Sequence, residues 1–319
     1  MFHPLRLRAM RETQGKTVQV SPLSDDLAFL DIVTEWDVDS SFHEWRASIV
    51  VPPTFLPGSL PRVIAICNQK GGAGKTTTAL ELAMALVARG LRVRVIDADP
   101  QEASLSVWLR FFYPEGLKPA DRKNLMHLYF DQSVTLQDIT YATPFEGLYF
   151  VPSFPDLDDV ETKHPTGTET ELQFHLSKAD DGIDVNIIDC GPKLGPLTVS
   201  ALVAAHDVII PVQGASGLDV RGAAALNRTI SSVQGRLNTE LRVAAVVLTD
   251  FEKSTLSRQI GGKLAKAYPN SVILPARTSV RIGEAQLAKQ PLRIFAPGAT
   301  TVLDYDRGAS ILFGNGEAA

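Results

Sequence analysis

Cysteine is scarce: the 319 residues contain two, Cys67 and Cys190. That excludes a disulfide-stapled scaffold and a four-cysteine zinc site, and makes a reducing, cytoplasmic setting the expectation. Long apolar runs are also missing, and no stretch approaches the roughly 20 residues that cross a bilayer as a helix. The N-terminus, MFHPLRLRAMRETQGKTVQV, carries Arg6, Arg8 and Arg11 without the apolar core that a secretory leader needs after them. Neither sign of charge dominates, with 31 Lys and Arg against 36 Asp and Glu. What remains is a globular composition, 45% hydrophobic and 21% charged, in a chain long enough for one large domain or two small ones.

The near-neutral total hides an asymmetry. Between Thr140 and Cys190 there are 11 acidic residues against Lys163 and Lys178, whereas Lys253 to Arg293 holds eight Lys and Arg against Glu284. Residues 1–60 stand apart as an N-terminal extension, polar and ending in VPPTFLPGSLP, whose prolines exclude helix and suggest a linker. From Arg62 a new pattern starts. RVIAIC, LRVRVID, GLYFVPS, VNIID, DVIIPV, LRVAAVVLTD and SVILPA read as short buried strands. Helical spacing appears between them in TTALELAMALVARG, QEASLSVWLRFF, PLTVSALVAA, GLDVRGAAALNRTISSVQGRL and LSRQIGGKLAKAY. DLDDVETKHPTGTETELQFHLSKA reads as a polar loop leading into a helix, and the end, LDYDRGASILFGNGEAA, as acidic and broken by glycine. Alternating strands and helices predict an α/β fold over 61–319 with a mainly parallel, doubly wound sheet.

The run NQKGGAGKTT, residues 68–77, lies between the first expected strand and the first expected helix. There glycines let backbone N–H groups converge on phosphate oxygens, and the helix N-terminus adds positive potential. Gly71, Gly72, Ala73, Gly74, Lys75, Thr76 and Thr77 would form the cradle. Lys75 would reach the β- and γ-phosphates of a nucleotide, and the Thr76 hydroxyl would sit on Mg²⁺. Asp189 ends VNIID, while Asp97 and Asp99 end LRVRVID in DADPQ. In a parallel sheet the carboxyl ends of the strands share one edge, so all three carboxylates can converge on the cradle. Lys70 is left over, because an ordinary phosphate loop has no use for a second lysine five residues before the first.

The segments KGGAGKTT, DADPQ and NIIDCGPKLGPLTVSALVAAHDVIIPVQ resemble the deviant Walker A, A′ and B segments of the ParA/MinD superfamily of P-loop NTPases, most closely its Soj-like ParA partition ATPases, over about residues 62–310. The resemblance implies an ATPase that uses ATP and Mg²⁺ and forms an ATP-sandwich homodimer. In it, Lys70 would touch the partner's nucleotide, Asp99 would orient the attacking water, and Asp97 and Asp189 would hold Mg²⁺ directly or through water. It also implies non-specific duplex DNA binding through C-terminal basic residues (here Lys253, Arg258, Lys263, Lys266 and Arg281), stimulation by a ParB-like partner, and a cytoplasmic, nucleoid-associated location. Two departures stand out. Gly191 and Pro192 follow Asp189-Cys190 where the family has two prolines, and LPARTSVRIGEA replaces the adenine-contacting Pro-Arg-Asn. A MinD-like membrane role would need a basic amphipathic tail, which the acidic C-terminus does not offer. A positioning ATPase for a non-DNA cargo would share the same engine.

Overall fold

A computed structural model of the chain describes residues 49–52, 58–101, 104–214 and 220–314. Its centre is one eight-stranded sheet in the order β3-β4-β2-β5-β1-β6-β7-β8. The strands are β1 (Arg62–Ile66), β2 (Val93–Ala98), β3 (Tyr141–Ala142), β4 (Leu148–Val151), β5 (Val185–Cys190), β6 (Asp207–Gln213), β7 (Arg242–Phe251) and β8 (Val272–Arg277). All neighbours run parallel except the short β3, which pairs antiparallel to β4. The chain order reverses around β1, which lies between β5 and β6, so the doubly wound expectation holds.

Both faces of the sheet are covered, and for that reason the strands read as continuous apolar runs. Successive side chains alternate between two cores. Ile64, Ile66, Val95 and Ile187 face one core, while Val63, Ala65, Ile96 and Ile188 face the other. The first core is closed by α1 (Lys75–Val87), α2 (Ser104–Trp108) and the C-terminal helices α9 (Val280–Leu287), α10 (Leu292–Phe295) and α11 (Thr300–Phe313). The second is closed by α3 (Met126–Phe130), α4 (Asp158–Lys163), α5 (Thr168–Lys178), α6 (Pro196–Ala204), α7 (Val220–Arg236) and α8 (Thr255–Ala267).

Four expectations change. The helix expected over QEASLSVWLRFF is only Ser104–Trp108 among the described residues. Arg110 turns to φ 48°, and Phe111 folds back into a ring cluster with Tyr113, Tyr141 and Phe150; burying that ring outweighs continued helix. The polar loop before α5 contains a helix of its own, α4, and the turn between them uses His164 at φ 46° and Gly167 at φ 87°. The glycine-broken C-terminus is helical through Gly308. A Cβ there would sit 3.2 Å from Leu274 Cδ1, so the missing side chain lets α11 lie close on β8. Finally, the N-terminal extension is tied to the sheet just before its proline-rich stretch: Val50 exchanges backbone hydrogen bonds of 3.1 and 2.8 Å with Ile273 on the edge strand β8.

Candidate nucleotide site

The loop between β1 and α1 carries the site. Gly72 at φ 71° and Gly74 at φ 88° hold left-handed conformations that a side chain would strain. Gly74 is the N-cap of α1 and offers no side-chain acceptor, so the first N–H groups of the helix point outward without a capping partner. A Cβ on Gly74 would also meet Thr249 Cγ2 at 2.9 Å. Thr249 at the end of β7 donates from Oγ1 to the Ala73 carbonyl at 2.9 Å, and Asn68 donates from Nδ2 to Pro211 O at 2.5 Å. The loop is thereby fastened to β6 and β7 from one side, while Gly71 and Gly72 face open space. Lys75 is buried and Thr76 half-buried at the start of α1.

The carboxylates meet this loop on the same sheet edge. Asp97 and Asp189 lie opposite one another in the β2–β5 register, and Asp189 lies opposite Ile66 of β1. The alternation of the strands turns both toward the face that α1 covers. Asp189 is 1% exposed, and neither of its oxygens has a hydrogen-bond partner at bonding distance. Burial pushes its carboxyl up to about 8, the Asp97 charge adds to this, and Thr76 and Lys75 offset it only in part. A buried carboxylate whose two oxygens accept no hydrogen bond, beside a Thr hydroxyl and a Lys, presents hard oxygen donors that suit Mg²⁺.

Asp97 is engaged differently. Its Oδ2 accepts from Ser106 N at 2.9 Å and Ser106 Oγ at 2.7 Å, and its Oδ1 accepts from Asp99 N at 3.3 Å. Burial raises it to about 6, with the Ser106 hydrogen bonds opposing. Of the two carboxylates expected at the metal, Asp189 thus has both oxygens open, and Asp97 spends its own on α2 and on the Asp99 backbone. Asp99 is 5% exposed and accepts from Gln101 N at 3.0 Å; Ser153 Oγ donates to its carbonyl at 3.2 Å. A Cβ on Gly191 would lie 3.0 Å from Asp99 Oδ1, so the departure from proline at 191 gives this carboxylate its room. Cys67 and Cys190 are buried free thiols with Sγ atoms 3.2 Å apart.

Lys70, half-buried in the same loop, donates from Nζ to Gln213 Oε1 at 3.1 Å, and Gln213 Nε2 donates to Asp250 Oδ2 at 2.9 Å. No motif in the sequence gives Gln213, Thr249 or Asp250 a role. Their only signal was position, at the ends of DVIIPVQ and LRVAAVVLTD.

The basic stretch is less uniform than its count suggests. Lys253, Lys263 and Lys266 are exposed on or just before α8, and Arg258 is half-buried there. Arg281 is exposed on α9 and pairs with Glu284 at 2.7 Å. Arg277 is bound to the buried Asp304 at 2.6 Å, and Arg293 pairs with Asp306. Arg277 and Arg293 are therefore held by acidic residues of the C-terminal helix α11.

The AAA domain family matches residues 61–243. The chain is 34% identical over 244 residues to the chromosome partitioning protein ParA of Caulobacter vibrioides, covering 73% of this chain and 87% of that one. It is 33% identical over 252 residues to the sporulation initiation inhibitor protein Soj of Bacillus subtilis, covering 76% and 96%. Among solved structures, the cobyrinic acid a,c-diamide synthase of Mycobacterium smegmatis with bound ATP analog and magnesium is similar at 31% identity and a TM-score of 0.63, over 78% of this chain and 93% of that one. With the phosphate loop, the strand-end carboxylates and the sheet order all in place, the chain belongs to the ParA-like superfamily of P-loop ATPases, in the ParA/Soj partition family.

Proposed function

We propose that this chain is a DNA-partition ATPase that binds ATP with Mg²⁺, closes into an ATP-sandwich homodimer, and hydrolyses ATP slowly. The observation that carries the reading is the orphaned Asp189 carboxylate beside Lys75 and Thr76, behind an uncapped helix N-terminus. Backbone N–H groups of residues 71–76 cradle the phosphates, and Lys75 reaches the β- and γ-oxygens. Thr76 and Asp189 would hold Mg²⁺, which supplies charge neutralisation between the β- and γ-phosphates when bound. Asp99 orients the attacking water. Asp97 fixes the Asp99 backbone and would help to hold Mg²⁺, directly or through water. Lys70 of each subunit serves the partner's nucleotide, where a cation supplied in trans stabilises charge that builds on the γ-phosphoryl oxygens. Residues 61–319 form the ATPase domain and 1–60 an extension.

The dimer would bind duplex DNA without sequence preference through Lys253, Arg258, Lys263, Lys266 and Arg281, place the protein on the nucleoid in the cytoplasm, and respond to a ParB-like partner. Phosphate binding needs clustered cations and no reading helix. α11 turns Val302, Tyr305, Ala309 and Leu312 into the core, which weighs against use of that helix as a membrane tail. No helix among the described residues is long and apolar enough to cross a membrane. The test is light scattering and phosphate release for the wild type, Asp99→Ala and Lys70→Ala with Mg²⁺ and ATP. Asp99→Ala should dimerise and turn over far more slowly. Lys70→Ala should lose the dimer, the turnover or both. Wild-type behaviour in both variants would overturn the assignment.

A further inference from the structure

Three strand ends meet in one chain of hydrogen bonds: Lys70 from the loop after β1, Gln213 ending β6, and Asp250 near the end of β7. Lys70 and Gln213 lie 143 residues apart in sequence, and Gln213 and Asp250 lie 37 apart. The amide of Gln213 has its carbonyl on an ammonium and its NH₂ on a carboxylate. That arrangement admits one orientation only, because a flipped amide would set N–H against N–H and oxygen against oxygen. Asp250 reaches this position by an unusual route. Its backbone is left-handed at φ 50°, and the β7–β8 register shifts between Leu248 and Phe251. A non-glycine residue held there is strained and is kept only where the surroundings enforce it. The same turn places Thr249 on the phosphate loop, and Gly214, next to Gln213, donates from its N–H to Thr249 O at 2.6 Å.

We propose that Gln213 and Asp250 are positioning residues for Lys70, holding its ammonium at rest over its own loop until a triphosphate and a second subunit draw it across. The inference rests on the reading of Lys70 as a lysine that acts in trans. A neutral amide suits this task. It gives the ammonium a defined partner, and a triphosphate, being fully charged, outcompetes it. Asp250 sets the strength of the hold by polarising the amide. A carboxylate at 213 would lose its donation to Asp250 and face a like charge, which only the ammonium can offset, so it would hold Lys70 as a charge-assisted pair and resist release.

The test has two arms. In the first, nucleotide-free protein is treated briefly with an amine-acetylating reagent, and modification of Lys70 is read by mass spectrometry relative to the exposed Lys266. A held ammonium must leave its acceptor before it reacts, so Gln213→Leu should raise Lys70 reactivity by about 3- to 10-fold. Asp250→Asn should raise it less, and Gln213→Glu should lower it, all with Lys266 unchanged. In the second arm, Gln213→Glu should weaken ATP-dependent dimerisation by about 3- to 10-fold, whereas Gln213→Leu, which frees the lysine, should not weaken it. Equal Lys70 reactivity in the wild type, Gln213→Leu and Asp250→Asn overturns the proposal, as does a dimer that Gln213→Leu weakens as much as Gln213→Glu. If Lys70→Ala alone dimerises and turns over normally, the trans role fails, while the labelling arm still decides whether Gln213 holds the lysine.

Discussion

Glu81 offers a test of the fold that is independent of nucleotide. It lies on α1, is 1% exposed, and accepts from Leu292 N at 2.7 Å, which ties the phosphate-loop helix to the start of α10. Burial raises its carboxyl from 4.5 to about 7; the backbone N–H groups of Leu292 and Arg293 and the Arg293 charge oppose this, and Asp306 adds to it. A folded pKa above the unfolded one means that the folded state binds more protons in between. Stability is therefore fully present below 4.5, falls as pH rises toward 7, and is flat above that. At about 1.4 kcal/mol per pH unit, the interval from 4.5 to about 7 amounts to roughly 3 kcal/mol. Glu81→Gln keeps an oxygen to accept from Leu292 and removes the charge, though its new N–H₂ group costs about 1 kcal/mol if it finds no partner. The variant should thus be about 1–2 kcal/mol more stable than wild type at pH 8 and no more stable at pH 5. Urea unfolding of nucleotide-free, full-length protein at pH 5, 6, 7 and 8 reads this difference directly. A difference between the two proteins that stays constant across pH would refute the reasoning, as would a variant that is less stable at pH 8.

Other outcomes follow from the site and the basic face. Lys75→Ala should abolish ATP binding by calorimetry; tight binding would count against the loop assignment. Gly74→Ala combines a positive φ with the Thr249 contact, so it should cost about 1–3 kcal/mol of stability in thermal unfolding and weaken nucleotide binding. Wild-type affinity and melting in that variant would show that the loop does not need its left-handed turn. DNA affinity of the ATP-locked Asp99→Ala dimer should fall by roughly 10³ to 10⁵ between about 50 and 200 mM salt if six to ten phosphates are neutralised. Lys263→Glu should weaken filter binding to all sequences alike while leaving DNA-independent turnover intact. An absent salt dependence would move the DNA surface elsewhere or favour a different cargo.

Seven of the eight strands, all but the short β3, and the glycine loop between β1 and α1 are legible in local pattern. Local patterns suffice there. Apolar runs such as RVIAIC and VNIID are too short and too rich in β-branched residues for buried helices and read as strands buried on two faces, and parallel strands put Lys75, Asp97, Asp99 and Asp189 on one edge whatever their separation in the chain. How those residues are engaged depends on packing between elements far apart in the chain. Asp97 and Asp189 look alike as strand-end aspartates, yet Ser106 occupies one and leaves the other open. Arg277 and Arg293 look like part of a basic surface, yet Asp304 and Asp306 on α11 claim them. Gly308 looks like a helix breaker, yet it lies inside α11 where a Cβ would come within 3.2 Å of Leu274 Cδ1. Lys70 reads as a lysine without a role in its own loop, and its resting partner is a glutamine 143 residues away. Periodicity records which face a residue takes. It holds no record of which side chain from a distant element arrives opposite, because that depends on strand order, on a bulge in β7 and on the docking of α11.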